Sequence, residues 1–474
     1  MRILLLHPHN FLENYHYAIP QVALGYLCSA LKKAGFYDVH IKDALLHKWT
    51  VTDVENYVKK LGPQVIGIRV WSHQINVVNQ YIQSFKKINP SIKIILGGPH
   101  ITVDPDFYAS NPFVDYSIQG EAEQSLPALL KIISNKSEVG LEEIPGIIYK
   151  KRNHFELVKK PPLRSNEIND YSVDWESLQL MDYHKLNSRT TAYDNGKKKN
   201  AFIFTTRGCP YPCTYCAAGI ANGKKIRSQS ALKSMDEVQY LYDKYGIHHF
   251  NIMDDNFTFY KDHVMEFCEE FLRRKNDMPN ISFHNPNGVR VDRLDDEMLN
   301  MMAKCGWKWL HIGIESASPK TLLRMKKRLD IKLAKENITK IRSHGMKVWG
   351  FFILGFFEET KSDMEETIDF SINSDLTAAT FSLFSPIPGT DIYKELLQKG
   401  LISSDYLMSG YMSSKTQIYA KNVTADELHK ITQKALLRFY SRPDRAYHLL
   451  NGMSFETIQN RIKTLFFNKK VFAQ

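Results

Sequence analysis

Three cysteines lie within eight residues of one another, at Cys209, Cys213 and Cys216, and their spacing is C-x3-C-x2-C. Thiolates are the soft ligands that iron–sulfur clusters require, and three thiolates can hold three irons of a [4Fe–4S] cube while the fourth iron stays open. A four-ligand zinc site would need another cysteine or histidine nearby, and the ten residues on either side contain neither. The spacing therefore predicts an iron–sulfur cluster with an open iron at which chemistry can take place.

Composition agrees with an ordinary globular protein. The 474 residues are 43% hydrophobic and 24% charged, and the longest apolar stretch, near 348–357, is far shorter than a membrane helix. Six cysteines are too few for a disulfide scaffold, and Cys268 and Cys305 fall in helical patterns that predict small core residues. The first residues do not have the pattern of an export signal. We therefore expect a folded protein in a reducing compartment.

The cysteine loop follows the first of six candidate strands. Apolar runs predict strands over 202–206, 249–253, 281–284, 309–314, 347–353 and 379–384, with helical patterns between them. One predicted helix covers 234–245 and opens with Ser234 as the first residue of a capping box. Six strand–helix units predict a partial (β/α)6 TIM-type barrel over 201–390, with its chemistry at the carboxyl ends of the strands.

The rest of the chain predicts an α/β domain, a linker and a helical region. Residues 1–146 alternate short buried runs with amphipathic stretches, as a doubly wound, Rossmann-like domain does. Ligands in such sheets bind beyond the carboxyl ends of the strands, where this domain has two glycine-bearing loops. The periodicity is lost over 147–200, which predicts a linker that wraps rather than folds alone, and 391–474 is mostly helical in pattern.

The cysteine motif resembles the signature of the radical S-adenosylmethionine (SAM) superfamily, which has this spacing and an aromatic residue before the last cysteine, here Tyr215. The resemblance implies that the open iron binds the amino and carboxylate groups of SAM. An electron from the reduced cluster then cleaves SAM to methionine and a 5′-deoxyadenosyl radical, which abstracts a hydrogen from the substrate. It also implies SAM contacts from strand-end residues, namely Tyr215, Asp254, Asp255, Glu315 and Ser316.

From the residues alone, two of these segments also have ordinary structural interpretations. An Asp-Asp pair after a strand, such as Asp254-Asp255, is equally typical of a turn or a helix cap. Glu315 could be a buried carboxylate that is paired for structural reasons. The sequence identifies no catalytic residue beyond the cluster ligands.

An α/β domain that precedes such a barrel resembles the cobalamin-binding branch of the superfamily. The resemblance implies cobalamin contacts from three loops, namely Arg69, Trp71, Ser72, Gly97, Gly98, Pro99, His100, Gly120 and Glu121. Domains that ligate cobalt with a histidine carry D-x-H-x-x-G, whereas Asp38-Val39-His40 has Asp43 in place of the glycine. We therefore do not expect a histidine ligand, and we expect Arg69 or Trp71 near the lower face of cobalamin.

The interpretation that explains both domains is a cobalamin-dependent radical SAM C-methyltransferase, which moves a methyl group from methylcobalamin to a substrate carbon radical. A second interpretation keeps both cofactors but ends in cyclisation, oxidation or rearrangement. A methylthiotransferase is disfavoured because those enzymes hold a second cluster with three N-terminal cysteines, and this region has only Cys28. A non-enzymatic cobalamin-sensing module is the remaining alternative, but it would give the three clustered cysteines no function.

The expected substrate is a small molecule, a lipid or a peptide, and the expected electron donor is a flavodoxin or a ferredoxin. The net charge is +11, and 433–474 carries eight Lys or Arg against two acidic residues. Within it, 466–472 mixes phenylalanines with lysines, a pattern compatible with a membrane surface or with a helix packed on the barrel. We expect a cytoplasmic protein with peripheral membrane contact as an alternative, and no nucleic acid partner.

Overall fold

A computed structural model describes residues 1–9, 19–136, 140–150, 157–162, 164, 168–185, 199–403, 406 and 419–450. The chain divides into two units. The first comprises Met1–Ser188, Ala217–Arg227 and Ile387–Leu407, and the second comprises Arg189–Cys216, Ser228–Pro386 and Met408–Gln474. The segment 466–472, considered above for membrane contact, lies outside the described residues. Over the described ranges, no helix has both the length and the apolar character needed to cross a membrane.

A seven-stranded sheet forms the frame of the first unit. Its strands are β1 (Ile3–His7), β2 (Val39–Asp43), β3 (Val65–Arg69), β4 (Lys93–Gly97), β5 (Tyr116–Ile118), β6 (Ile147–Lys150) and β7 (Leu157–Lys159). They lie in the order β2-β1-β3-β4-β5-β6-β7, with β1 to β5 parallel. Every residue of β1 is buried, as expected for a parallel strand covered on both faces. The order reverses between β1 and β3, which is where ligands bind in such folds.

The sheet extends into the region that the sequence predicted as a linker. β6 pairs antiparallel with β5, and β7 pairs antiparallel with β6. Strands of three or four residues are too short to produce a clear alternation of apolar and polar positions. The pattern therefore predicted a wrapping segment where the chain adds an edge to the sheet.

The other strands are β8 (Asn200–Ile203), β9 (Thr206–Arg207), β10 (Arg227–Ser228), β11 (His249–Ile252), β12 (Ser282–His284), β13 (Trp309–Glu315), β14 (Lys347–Leu354) and β15 (Ala378–Leu383). β8, β11 and β12 form one parallel sheet of the second unit, and β13, β14 and β15 form another. A parallel bridge between Val289 and Ile312 links the two sheets. These six strands follow one another in chain order, which confirms the predicted partial barrel.

Helices connect the strands of both units. They are α1 (Val22–Lys33), α2 (Val51–Leu61), α3 (Ile75–Ile88), α4 (Pro99–Val103), α5 (Ser125–Ile133), α6 (Leu180–Lys185), α7 (Ala218–Ala221), α8 (Ala231–Tyr245), α9 (Lys261–Arg274), α10 (Asp296–Lys304), α11 (Pro319–Arg324), α12 (Ile331–Ser343), α13 (Lys361–Ile372), α14 (Asp391–Gln398), α15 (Ala425–Tyr440) and α16 (Pro443–Leu450). α14 belongs to the first unit, whereas α15 and α16 belong to the second.

The start of α8 differs from the sequence prediction. Ser230, rather than Ser234, is the N-cap, and its hydroxyl accepts a hydrogen bond from the Lys233 backbone nitrogen at 3.2 Å. Ser230 has the extended backbone that a cap requires, while Ser234 is buried inside the helix. Two serines four residues apart fit the same start signal, and the backbone conformation distinguishes them.

Aromatic side chains fill the space between the first barrel sheet and its helices. Phe283 on β12 stacks on Trp307 with ring centroids 4.9 Å apart, and it meets Phe267 of α9 edge-on at 5.2 Å. Cys268 and Cys305 are buried in the same unit, in agreement with their predicted core positions. This packing fixes the strands whose carboxyl ends carry the candidate site.

Candidate active site

The three clustered cysteines lie on the loop that follows β9. Cys216 is exposed, Cys209 and Cys213 are half-buried, and none of the three forms a disulfide, so all three thiols are accessible to a cofactor. Within the described part of the chain, no three His, Cys, Asp or Glu side chains are grouped as they would be around one metal ion. A [4Fe–4S] cube is wider than a single ion, and its usual ligands are thiolates on such a loop. The donor set therefore fits the predicted cluster.

Asp254 holds the strand end that leads into the cysteine loop. Its Oδ1 accepts a hydrogen bond from the Thr205 backbone nitrogen at 2.7 Å, and its Oδ2 accepts one from the Thr205 hydroxyl at 2.6 Å. His263 Nε2 lies 2.9 Å from the same hydroxyl. Burial raises the pKa of Asp254 to about 6. Both carboxylate oxygens thus bond to the chain itself, an arrangement that supports the loop.

Two neighbours of Asp254 face a different environment. Burial, and to a smaller extent the charge of the half-buried Asp255, raises the pKa of Cys209, which places Asp255 close to the thiols. Asn256 is 2% exposed, and neither of its amide atoms has a hydrogen-bond partner among the described residues. A buried polar group without a partner costs about 1–3 kcal/mol unless a ligand or water satisfies it. The pair therefore suits the polar end of a ligand such as SAM.

Two arginines hold the cysteine loop at Tyr211. The Arg290 guanidinium lies 4.1 Å from the centre of the Tyr211 ring, and Arg293 Nε donates to the Tyr211 hydroxyl at 2.9 Å. Asp292 accepts two hydrogen bonds from Arg290, at 2.9 and 2.6 Å, and so neutralises its charge. Tyr211 stands between the first two cysteines of the motif, so these contacts restrict the positions that both thiols can take.

Lys327 is a buried cation beside the cysteine loop. Its Nζ lies 3.1 Å from Glu315 Oε1 and 3.5 Å from the Tyr215 hydroxyl. Glu315 ends β13 with a φ of 70°, a left-handed conformation that is strained for a residue with a side chain. A Cβ on Gly313 would lie 2.7 Å from Glu315 Oε1 and 3.2 Å from Lys327 Nζ, so a larger residue there would displace the ends of both side chains. Sequence analysis missed Lys327 because it stands in an ordinary run of basic residues, 324–328.

Ser316 is fully buried behind Glu315. Its hydroxyl lies 3.0 Å from the Thr367 hydroxyl, and it accepts a hydrogen bond from the Ser318 backbone nitrogen at 3.2 Å. These bonds stabilise the turn that joins β13 to α11. The structure therefore gives the Ser316 side chain partners within the protein.

A buried carboxyl stabilises the loop after β14. Glu359 Oε2 accepts hydrogen bonds from the backbone nitrogens of Gly355 at 2.7 Å and Phe356 at 3.0 Å. Burial raises the pKa of Glu359 to about 8, so the group is largely protonated at neutral pH. The Phe356 ring meets Tyr215 edge-on, with centroids 6.4 Å apart. The loop therefore backs the aromatic residue of the cysteine motif, a contact that no sequence pattern indicated.

Two histidines face each other on the neighbouring strands β12 and β13. His284 Nε2 and His311 Nε2 are 3.1 Å apart, so one ring nitrogen donates and the other accepts. Burial lowers the pKa of His311 to about 4 and lowers the pKa of His284 well below its usual value, so both rings are neutral. The half-buried rings of Trp349 and Phe351 lie 5.2 and 5.1 Å from His311. Together these side chains form an aromatic wall with neutral hydrogen-bonding groups.

In the first unit, Arg69 and Trp71 lie at the carboxyl end of β3. The Arg69 guanidinium lies 4.7 Å from the centre of the Trp71 ring, and its Nη1 donates to Gln21 Oε1 at 2.5 Å. Burial lowers the pKa of Arg69 to about 10. Trp71 is 36% exposed where the strand order reverses, and the His73 ring lies nearly parallel to it at 6.3 Å. The exposed part of the indole suits contact with a large flat cofactor.

The histidines of this unit are arranged differently. His100 is buried, its Nδ1 lies 3.1 Å from the Ser72 hydroxyl, and burial lowers its pKa to about 4. His40, in the incomplete D-x-H motif, is the second residue of β2 and lies 2.8 Å from Asp38. His40 therefore stands near the amino end of its strand, away from the carboxyl edge. Ser72 and His100, each predicted to contact cobalamin, contact each other in a buried position.

Glycines at this edge are required by the protein's own packing. Gly98 has a φ of +96°, and a Cβ there would lie 3.0 Å from Arg69 Cγ and from the Val70 backbone nitrogen. A Cβ on Gly120 would lie 2.7 Å from Pro162. Gly97 ends β4, where a Cβ would make only an ordinary contact with the Ile118 carbonyl, and Pro99 begins α4 two residues later. Glycine at positions 98 and 120 thus has a packing reason that is independent of any ligand.

Glu121 is also engaged within the first unit. Arg227 donates to both of its carboxylate oxygens, at 2.9 and 2.5 Å. Arg227 is almost entirely buried, so this two-bonded pair is strong in its local environment. The pair joins the loop after β5 to the end of the segment Ala217–Arg227.

Two protein-family models match the chain. The model of the radical SAM superfamily matches residues 203–371, which run from β8 into α13. The model of the B12 binding domain matches residues 9–130, which include β2 to β5. The two matches occur in the order that the sequence predicted.

Curated relatives extend over most of the chain. The uncharacterized methyltransferase PH0819 of Pyrococcus horikoshii is 27% identical over 90% of this chain and 88% of its own. The cytidylyl-2-hydroxyethylphosphonate methyltransferase of Streptomyces wedmorensis is 26% identical over 94% of this chain and 91% of its own. The anaerobic magnesium-protoporphyrin IX monomethyl ester cyclase of Rubrivivax gelatinosus is 25% identical over 84% of this chain and 70% of its own.

A solved structure has the same fold. The radical SAM methyltransferase TsrM from Kitasatospora setae, with cobalamin and a [4Fe–4S] cluster bound, matches with a TM-score of 0.68. The match covers 84% of this chain and 78% of that chain at 19% identity, a level at which the similarity concerns the fold. The chain therefore contains a radical SAM domain and a B12 binding domain, the pairing found in the cobalamin-binding radical SAM superfamily, whose cofactors are a [4Fe–4S] cluster, SAM and cobalamin.

Proposed function

We propose that this enzyme is a cobalamin-dependent radical SAM C-methyltransferase. The observation that carries the proposal is the presence, in one chain, of three accessible thiols at the strand ends of a barrel and of a B12-binding domain. Placing a methyl group on an unactivated carbon needs a carbon radical and a methyl carrier, and each domain provides for one of them. The two methyltransferases among the relatives, which extend over most of this chain, support the proposal.

When bound, the cluster and SAM supply a radical that removes a substrate hydrogen atom, and cobalamin carries the methyl group. Cys209, Cys213 and Cys216 hold the cluster. Asp255 and Asn256 bind the polar end of SAM, because Asp255 brings a negative charge close to Cys209 and Asn256 brings an unsatisfied buried amide. These roles follow from charge and hydrogen-bonding capacity.

The remaining SAM-site residues divide into binding and positioning groups. Glu315, held by Lys327, would accept hydrogen bonds from the hydroxyls of SAM, and Tyr215 shapes the loop beside it. Asp254 and Ser316 act as positioning residues, since their side chains already bond to the protein. The division follows from which polar atoms remain available to a ligand.

For cobalamin, the proposal assigns the lower face to the exposed plane of Trp71 and to Arg69, which underlies it. The backbone of the two glycine-bearing loops, 97–100 and 120–121, borders the same sheet edge. Ser72 and His100 stabilise this edge from within, because their hydrogen bond is buried. A histidine ligand to cobalt is not part of the proposal.

The proposed substrate is a small molecule that reaches the strand ends of the barrel, and the proposed reductant is a one-electron carrier protein. The aromatic wall formed by Trp349, Phe351 and His311 supports a substrate with apolar surface and a few polar groups. The ring nitrogens of His284 and His311 already have partners within the protein, so the two histidines position the wall and add no charge to it.

Metal content after anaerobic purification from cells supplied with iron and cobalamin tests the proposal. We expect about four irons and about one cobalt per chain. Cys213→Ala should lose the cluster and the cleavage of SAM, because one of three ligands is removed. The control, Cys268→Ala, removes a buried thiol outside the motif and should leave both the cluster and the cleavage of SAM intact. SAM cleavage by the Cys213→Ala enzyme, or iron without cobalt, would contradict the proposal.

A second outcome is supported by a specific observation, the cyclase of Rubrivivax gelatinosus among the relatives. In that case the same cofactors would act without delivering a methyl group to the product. SAM with a deuterated methyl group distinguishes the two outcomes. Mass spectrometry of the product should show three added deuterons for methyl transfer, and a product without them would favour cyclisation or oxidation.

A further inference from the structure

The cysteine motif has a tyrosine in each of its two gaps, Tyr211 and Tyr215, and each tyrosine contacts a buried cation. The Arg290 guanidinium lies 4.1 Å from the centre of the Tyr211 ring, and Lys327 Nζ lies 3.5 Å from the Tyr215 hydroxyl. Arg290 and Lys327 are each 7% exposed. Burying a charge costs free energy unless the charge is paired and hydrogen-bonded, so both cations need partners beside this loop.

Each of these cations is paired with a carboxylate. Asp292 accepts from Arg290 Nε at 2.9 Å and from Arg290 Nη2 at 2.6 Å, and Glu315 Oε1 accepts from Lys327 Nζ at 3.1 Å. The two pairs are joined, because Arg290 Nη1 donates to the Lys327 carbonyl at 2.8 Å. We call these four residues the charge frame. The charge frame places one ion pair beside each tyrosine of the motif.

The position of the Arg290 charge is fixed by contacts on all sides of the guanidinium. Its Nη2 donates to the Arg328 carbonyl at 3.1 Å in addition to Asp292, so all three of its nitrogens have acceptors. One face of the planar group packs on the Tyr211 ring. A guanidinium is suited to this arrangement because its donors form a rigid fork, whereas a lysine offers one nitrogen at the end of a flexible chain.

The charge of Arg290 acts on a cluster ligand. Burial opposes the charged form of Arg290, but the hydrogen bonds and charge of Asp292, and then the charges of Tyr211 and Cys213, raise its pKa. Cys213 therefore lies within electrostatic reach of the guanidinium. Reduction adds one negative charge to a bound cluster, and a nearby cation stabilises that charge whereas a nearby carboxylate opposes it. Arg290 and Asp292 should thus affect cluster reduction in opposite directions.

We propose that the Arg290–Asp292 pair of the charge frame sets the reduction potential of the cluster, an inference that rests on the proposed function. Arg290 is a positioning residue, because it acts on the cysteine loop through Tyr211 and through its charge. Asp292 limits the positive charge that Arg290 presents. In the step concerned, one electron passes from a one-electron reductant to the cluster, the reductant is oxidised, and no bond or proton is exchanged.

The test is a redox titration of the full-length protein with its cluster assembled, with dithionite as the reductant and electron paramagnetic resonance of the reduced cluster as the readout. Asp292→Asn removes the negative charge but keeps an acceptor oxygen, so reduction should become about tenfold more favourable, which is about 59 mV for one electron. Arg290→Met leaves Asp292 unpaired and should shift the potential about as far in the opposite direction. Arg290→Lys keeps the charge and should retain most of the wild-type potential, although it loses stability in urea.

The matched control is Asp236→Asn, which removes a carboxylate 2.8 Å from Arg274, in an ion pair between α8 and α9, and should leave the potential unchanged. Shifts of the same sign in Asp292→Asn and Arg290→Met, or a wild-type potential in Asp292→Asn, would overturn the inference. If Arg290→Met does not assemble a cluster, the comparison of Asp292→Asn with the wild type still decides. A wild-type chain that binds no iron would refute the proposed function and the inference together, whereas a full cluster with an unchanged potential refutes the inference alone.

Discussion

Lys327 Nζ lies 3.1 Å from Glu315 Oε1, and both side chains are largely buried beside Tyr215. The pair joins two chain segments, the end of β13 and the turn after α11, both of which have left-handed residues. Opposite charges in such a place stabilise each other, and removing either one leaves a costly unpaired charge. The geometry of the cysteine loop thus depends on an interaction that is distant in sequence.

Lys327→Met should lower the free energy of unfolding of the cluster-free protein by about 3 kcal/mol, because Glu315 would keep its charge without a partner. Adding Glu315→Gln should recover most of that loss, since the double variant has no unpaired charge. Urea unfolding of the wild type, both single variants and the double variant gives the coupling. Lys327→Arg is the control that keeps the charge, and strictly additive losses would contradict a coupled pair.

Because of Glu359, we expect the free energy of unfolding to depend on pH. Its pKa is raised from 4.5 to about 8, so the folded protein retains a proton that the unfolded chain loses above about pH 4.5. The contribution of Glu359 to the free energy of unfolding should therefore fall as pH rises from 4.5 to 8, by at most about 1.4 kcal/mol per pH unit. Glu359→Gln keeps the acceptor for Gly355 and Phe356 and should remove this slope.

The neighbouring residue provides the control for Glu359. Glu358 is exposed and lies 3.6 Å from Arg324, so Glu358→Gln should leave the pH dependence of unfolding unchanged. Denaturant titrations of the three proteins at half-unit intervals from pH 5 to pH 8.5 give the comparison. Parallel curves for the wild type and Glu359→Gln would show that the carboxyl is ionised in the folded state.

The cysteine motif and the barrel strands were predictable because their signals are local. The type and spacing of Cys209, Cys213 and Cys216 indicate an iron–sulfur site. Each barrel strand is a short, mostly apolar run such as 347–353. The loops that carry the candidate site could also be predicted, because they follow those strands. Both signals, the cysteine spacing and the apolar runs, depend only on residues that are close together in the sequence.

The roles of individual side chains were less predictable. The pattern placed Asp254 and Asp255 at a strand end, but only the structure shows that Asp254 bonds to Thr205, and that the adjacent Asn256 is left unsatisfied. Lys327 was missed because its partner is twelve residues away and the turn between them is set by left-handed backbone. Sequence patterns report which residues are near a strand end, whereas hydrogen-bond partners depend on tertiary contacts.

The side chain of Arg445 holds the C-terminal helices to the barrel. The buried guanidinium donates to the carbonyls of Ile372, Ser374 and Leu376 at 3.0, 2.7 and 3.2 Å, and it lies 4.0 Å from the centre of the Phe439 ring. Arg445→Met should lower the free energy of unfolding by about 3 kcal/mol, because buried carbonyls would lose their donor.

A variant of the nearby Arg442 is the control that distinguishes the loss of buried hydrogen bonds from the loss of a surface charge. Arg442 is exposed and lies 3.3 Å from Asp444, so Arg442→Met should change the free energy of unfolding by about 0.5 kcal/mol or less. Urea unfolding of the two variants gives the comparison. Equal losses would mean that Arg445 acts only through its charge.

Gly98→Ala tests the link between backbone packing and the proposed cobalamin face. Gly98 and Gly35 have similar φ values, +96° and +91°, but a Cβ on Gly35 would meet nothing within 4 Å, whereas one on Gly98 would press on Arg69 and Val70. Gly35→Ala should lose about 1 kcal/mol from backbone strain alone, and Gly98→Ala should lose about 3 kcal/mol.

The two alanine variants should also differ in cobalamin binding. Pressure on Arg69 would displace the guanidinium that lies 4.7 Å from the Trp71 ring, and the exposed ring would tilt with it. We therefore expect about tenfold weaker binding of hydroxocobalamin to Gly98→Ala, followed by its visible absorption, and wild-type binding to Gly35→Ala. Unfolding measured on the same samples excludes loss of folded protein as the cause. Unchanged affinity in a folded Gly98→Ala protein would remove Arg69 and Trp71 from the proposed cobalamin face, because the cofactor would then be insensitive to the position of that pair.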